Sequence, residues 1–270
     1  MSETGLLNLE VKNRNSRTMI HGYYEGAFKY TRPVRLDDDS LSVYLIHVGG
    51  GYVDGDTYGS TIKLEEGAEL AVTSQASTKV YKSPSKPVEQ RTTIQLGAES
   101  VLEYYLDPLI LYKGAKFIQE TTVEMEHNSS FFYSDIITPG WSEDGSNFQY
   151  DWMRNKLKVY QNGKLVLFDH LLLEPDDELE GVLQLEGHTH VGSFIIFHPK
   201  ASREFGEWLY ESVIGAHPHV RIGISNMEDN GVVVRILDNR TQTMERIISH
   251  IHTFARKELL GKGEISWRKY

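Results

Sequence analysis

Between residues 61 and 135 one short pattern recurs three times, and it narrows the possible folds more than any other feature of the chain. Each copy opens on Thr, runs on with alternating apolar and polar residues, turns through acidic, Gly or Asn residues, and returns as a second strand. The copies are TIKLEEGAELAVTS from Thr61, TIQLGAESVLEYYL from Thr93 and TVEMEHNSSFFYSD from Thr122. Period-two alternation marks a strand with one buried face, and a unit this short cannot bury that face alone. Copies about 30 residues apart therefore predict stacked hairpins forming an elongated β-superhelix or sandwich. A fourth hairpin is expected at LKVYQNGKLVLFD, from Leu157, around an Asn-Gly turn.

Helical spacing appears only after Ser202. Ser202 reads as an N-cap, with Phe205, Leu209, Val213 and Ile214 on one face and Gly215 as the stop. A second helix is predicted from Thr241 to Glu258, with Met244, Ile247, Ile248, Ile251, Phe254 and Ala255 as its apolar stripe. Two strands, 220–225 and 231–237, are expected between the helices. The fold class is thus mainly β with two α-helices in the C-terminal quarter. One domain is expected over 1–270, with a β-rich body over 1–198 and an α+β portion over 199–270, and the acidic segment from Glu174 to Gly181 reads as a loop. This order of elements excludes a doubly wound α/β enzyme.

Composition removes whole classes of chemistry. The chain has no cysteine, which excludes a disulfide scaffold, a thiol nucleophile, an iron–sulfur cluster and any thiolate zinc site. With 28 Lys and Arg against 38 Asp and Glu, the formal charge is −10. A nucleic-acid or anionic-membrane partner needs clustered basic residues, so neither is expected. The N-terminal segment lacks a continuous apolar stretch, so a cytoplasmic location is expected.

Three segments invite chemical readings. His188 and His190 are two apart on a predicted strand, where i and i+2 point the same way, so together they are a candidate metal site. The cluster GGGYVDGDTY at 49–58 suggests a phosphate loop, but no Lys-Ser/Thr follows and no helix is predicted after it. It reads instead as a tight connection in which Asp54 and Asp56 cap turn N–H groups. Thr73 and Ser74, in a stretch poor in apolar residues, and Glu103 and Asp107, of equal parity, are candidates for a polar lining. Glu103 and Asp107 would stand roughly 13 Å apart along a strand, too far for a glycosidase pair. A His-metal or carboxylate-dependent hydrolase on a β scaffold, and a β-rich carbohydrate-binding module, stay open as alternatives.

The ordered segments GGGYVDGDTY at 49–58, TSQASTKVYKSP at 73–84, YLDPLILYKGAKF at 105–117 and SDIITPGWSEDGSNFQY at 134–150, with VRIL at 234–237 and the closing WRKY, resemble the urease accessory protein UreD (UreH) family. The resemblance covers nearly the whole chain. It implies a mostly β fold with two helices and a non-catalytic maturation factor. The implied partners are apo-urease, UreF and, through UreF, UreG. It also implies help in delivering nickel to urease through a water-filled passage, with no tightly bound cofactor and nickel only in transit. On that reading Thr73, Ser74, Glu103 and Asp107 are expected to line the passage, and His188 and His190 to hold nickel transiently.

Overall fold

A computed structural model describes residues 3–14, 17–36, 40–175 and 185–267. In chain order its strands are β1 (Gly5–Arg14), β2 (Arg17–Gly26), β3 (Phe28–Tyr30), β4 (Val34–Arg35), β5 (Leu41–His47), β6 (Thr57–Leu64), β7 (Glu69–Ser74), β8 (Thr78–Val80) and β9 (Val88–Leu96). Then follow β10 (Val101–Tyr105), β11 (Leu109–Leu111), β12 (Lys116–Met125), β13 (Ser130–Ile137), β14 (Trp152–Gln161), β15 (Lys164–Leu173) and β16 (His190–Phe197). The C-terminal part holds α1 (Arg203–Ala216), β17 (Arg221–Met227), β18 (Gly231–Asp238) and α2 (Thr241–Ala255). Of the acidic segment read as a loop, residues 176–181 lie outside the described residues.

The strands form two stacked sheets. One has seven strands in the order β15-β14-β12-β9-β6-β1-β2, and the other has eleven, with β17-β18-β16-β13-β10-β7-β5-β3 as its main path. The stacked, mainly β architecture agrees with expectation, but the three repeats are not hairpins. Their two arms lie in different sheets, and successive copies pair in parallel, with Thr61 beside Thr93 and Thr93 beside Thr122.

The corners explain why. Each spans four residues, 65–68, 97–100 and 126–129, closed by a hydrogen bond from the fourth N–H to the first carbonyl. The third residue is left-handed every time: Gly67 at φ +63°, Glu99 at +57° and Asn128 at +55°. Such a corner sends the chain across to the opposite sheet, like the turn of a coil. The fourth unit is a true hairpin, with β14 and β15 antiparallel around Asn162 and Gly163 at φ +49° and +79°.

Apolar side chains from both sheets, among them Leu7, Ile62, Ile94, Phe117, Phe131 and Ile195, fill the space between them. A second core forms where the helices cover the outer face of the larger sheet, around Phe132, Phe194, Leu209, Ile247 and Ile248. Ser202 caps α1 as expected, its Oγ accepting from the Phe205 N–H at 3.3 Å. The second helix differs from expectation. It is α-helical only to Ala255, continues as a π-helical turn over Arg256–Leu260, and stops at Gly261, which is left-handed at φ +66°. The wider turn goes with a fully buried Arg256, whose guanidinium engages Glu103 in the sheet below.

Candidate functional site

Because β6, β9, β12 and β14 run parallel and in register, residues at equal positions form rows across the inner face of the seven-stranded sheet. Most rows are apolar, such as Ile62, Ile94, Val123 and Val159. Two adjacent rows are polar: Tyr58, Gln90, Gln119 and Asn155, then Ser60, Thr92 and Thr121. Gln90, Thr92, Thr121 and Asn155 are all buried. Ser60 Oγ and Thr92 Oγ1 are 2.8 Å apart, so the row is knitted together.

The opposite sheet answers with its own polar groups. On β13, Tyr133 and Asp135 share the inward parity of Phe131 and Ile137. Asn155 Nδ2 donates to Asp135 Oδ2 at 2.9 Å, and the Tyr133 hydroxyl donates to the same oxygen at 3.1 Å. Asp135 Oδ1 and Asn155 Oδ1 are buried with no hydrogen-bond partner among the described residues. Burial pushes the Asp135 carboxyl above its ordinary value, while the nearby Arg235 charge pulls the other way. Buried polar groups of this kind are ordinarily satisfied by a protein partner or an ordered water.

A cavity of about 30 Å³ opens in this seam, lined by Ser74, Gln90, Asp107, Gln119, Asp135 and Asn155 among others. That is room for one or two waters. A second, more open pocket of about 140 Å³ lies beneath the turn at Gly49–Gly51 and shares Leu45, His47 and Thr78 with the inner cavity. His47 stands between them. Its Nε2 is 2.5 Å from the hydroxyl of fully buried Tyr52, which also donates to Gln90 Oε1 at 3.3 Å. Burial lowers His47 to about 4, so the ring is neutral at physiological pH.

The glycine-rich connection is built as the turn chemistry requires. Asp54 Oδ1 accepts from the N–H groups of Ser85 and Lys86, both at 2.9 Å, and Asp56 Oδ2 accepts from the Val53 N–H at 2.8 Å. Gly51, at φ +150°, lies so close to the next coil that a Cβ would stand 2.7 Å from the Lys79 carbonyl. A separate concavity of about 770 Å³, lined by Lys63, Glu65, Glu124 and Tyr160 among others, shares no lining residue with the seam.

The four expected lining residues separate into two pairs. Ser74 and Asp107 both line the inner cavity, and Ser74 Oγ accepts from the Asp107 N–H at 2.8 Å. Thr73 and Glu103 point to the other side of the sheet. Thr73 lies beside Tyr44 and Tyr105 in register, with its Oγ1 buried and without a hydrogen-bond partner among the described residues. Glu103 is buried against Arg256 Nη1 and against His252 Nε2, the latter at 2.5 Å. Burial would raise Glu103, but hydrogen bonds and positive charge from His252 and Arg256 outweigh it and hold the carboxyl below its ordinary value. Equal parity failed for Glu103 and Asp107 because β10 ends at Tyr105, so Asp107 no longer follows the strand's alternation.

His188 and His190 are arranged differently from two neighbours on one strand. β16 begins at His190, and His188 precedes it. His190 is buried, with Nδ1 2.8 Å from Thr189 Oγ1 and Nε2 2.9 Å from Thr241 Oγ1. Among the described residues no group of three or more His, Asp or Glu is placed to hold a metal ion, and no helix is long and apolar enough to cross a membrane. Sequence reasoning missed Gln90, Gln119, Asn155 and Asp135. The available signal was a polar residue at the parity of flanking core residues, as Gln90 and Thr92 stand between Val88 and Ile94.

Comparison with known proteins adds an independent line. The family model described as UreD urease accessory protein matches residues 3–268. A protein named urease accessory protein UreD from Bacillus sp. (strain TB-90) is 55% identical, covering 100% of both chains. Proteins of the same name from Staphylococcus epidermidis and Bacillus cereus are 37% and 36% identical, covering 99% and 100% of this chain and 98% and 99% of theirs.

Proposed function

The chain belongs to the UreD urease accessory protein family, with a role in urease maturation, and from that premise we propose that it acts without bond chemistry of its own. It binds apo-urease together with UreF, and UreG through UreF, and lets Ni²⁺ reach the urease active site as cargo. The observation that carries the passage is the polar seam, because a β-sandwich interior is ordinarily filled with apolar side chains. Amide, hydroxyl and carboxylate oxygens suit a hydrated divalent ion, and the absence of thiolates avoids ligands that would trap it. A neutral His47 at the mouth offers an imidazole without opposing positive charge.

The test fills the seam while keeping its shape. The double variant Gln90→Leu, Gln119→Leu should fold at least as stably as the wild type and still co-purify with its partners, but activate urease at least tenfold less when co-expressed with the urease genes. Wild-type activation by an intact complex of that variant would sink the passage. A transient nickel site at His188 and His190 is a separate proposal, since an ion there must displace a threonine hydroxyl. Equilibrium dialysis of the His188→Ala, His190→Ala variant against nickel chloride should show lost binding, and unchanged binding removes the site.

A further inference from the structure

The first sheet ends in β2, whose outer edge pairs with no described strand, although Tyr30 packs over its inner face at Gly22 and Tyr24. β2 pairs with β1 along ten residues without a bulge, and all ten are exposed or half-buried. The facing sheet ends in the three-residue β3, so β2 overhangs it, and Met19, Tyr23 and Tyr24 are each close to half exposed. The opposite edge strand, β15, is blunted by a register shift in its pairing and by the ion pair of Lys164 with Asp229 at 3.1 Å. A long, straight edge without proline is a template for pairing with another chain.

We propose that this chain dimerises by antiparallel pairing of β2 with β2 of a second copy, about a two-fold axis through His21. In that register Arg17 faces Glu25 at both ends, Met19 faces Tyr23, Thr18 faces Tyr24, and Ile20 faces Gly22, whose open side is filled by the Tyr30 ring of its own copy. Directly opposed residues have side chains on the same face, so these are opposite-charge, sulfur–aromatic and apolar pairs of the kind that stabilise antiparallel ladders. The Tyr23 hydroxyl already donates to Glu25 Oε2 at 2.9 Å, which holds that carboxylate on the face it shares with Arg17. An isologous contact needs a surface complementary to itself, and the charges of β2 are antisymmetric about its centre. The second product is one continuous sheet running through both copies.

Sedimentation of the full chain should show a reversible dimer. Arg17→Glu alone and Glu25→Arg alone each place like charges at both ends of the pair and should raise the dimer dissociation constant by about tenfold or more. The double variant Arg17→Glu, Glu25→Arg should restore it. Because the chain has no cysteine, His21→Cys supplies a second readout. Opposed Cα atoms in such a pair lie about 4.5–5.5 Å apart, within disulfide reach, so mild oxidation should give covalent dimer from His21→Cys and only traces from Lys200→Cys. A wild-type chain that sediments as monomer, single reversals that leave the dimer unchanged, or equal cross-linking from both cysteine variants would overturn the proposal.

Discussion

At the scale of single residues, two carboxylates stand in opposite situations. Glu103 is answered by Arg256 and His252, whereas one oxygen of Asp135 has no hydrogen-bond partner among the described residues. Removing one member of a satisfied buried ion cluster leaves the others uncompensated, so Glu103→Ala should cost about 3–5 kcal/mol in urea unfolding. Replacing all three residues together, Glu103→Leu, Arg256→Met and His252→Phe, should recover most of that loss. A triple variant as unstable as the single one would mean that the cluster is a net source of stability. Ser74 was legible only as part of a stretch poor in apolar residues, and Asp107 only as one of two carboxylates of equal parity. The sequence could not say which face of the sheet Thr73 and Glu103 would take, since parity orders side chains along a strand without naming the layer each side meets.

Among the elements, the corners show the same limit from another side. Alternation and the 30-residue recurrence were readable, yet a four-residue turn with its third residue left-handed does not itself declare a hairpin or a crossing between sheets. That choice depends on parallel pairing with neighbouring copies, which is non-local. The corners do yield a local prediction. Glu99 holds a left-handed conformation that Gly occupies at the equivalent Gly67, so Glu99→Gly should raise stability by up to about 1 kcal/mol and Gly67→Ala should lower it by a similar amount. Thermal unfolding checks both signs, and a destabilised Glu99→Gly would show that the side chain contributes more than its backbone costs. The π-helical turn after α2 was equally hidden, because it answers to Glu103, far away in sequence, and not to any local propensity.

For the whole molecule, the buried titratable groups set a pH dependence whose signs can be worked out. His47 and His198 are both held at about 4 from an ordinary 6.5, chiefly by burial. The unfolded chain therefore takes up protons first, and stability falls as pH drops from about 6.5 to 4. For His47 the shift corresponds to about 3 kcal/mol at its low-pH limit. Asp135 has the opposite sign, since its raised folded value favours the native state on acidification above the ordinary carboxylate range, and it offsets part of the loss. Glu103, held low, gives stability that disappears only below that range. Urea midpoints should thus fall between pH 7 and pH 5, and His47→Gln should flatten the slope. An unchanged slope would place the proton uptake elsewhere.

The equal lengths of the three corners have a consequence for how this chain can change. Side chains alternate strictly along each arm, so one residue inserted or deleted within an arm acts like a frameshift in three dimensions. It would exchange inside for outside over the rest of that arm, turning a stretch of the polar rows toward solvent and a stretch of the surface inward. Substitution can therefore tune the interior one position at a time, whereas length changes are confined to segments that lie outside the stacked coils.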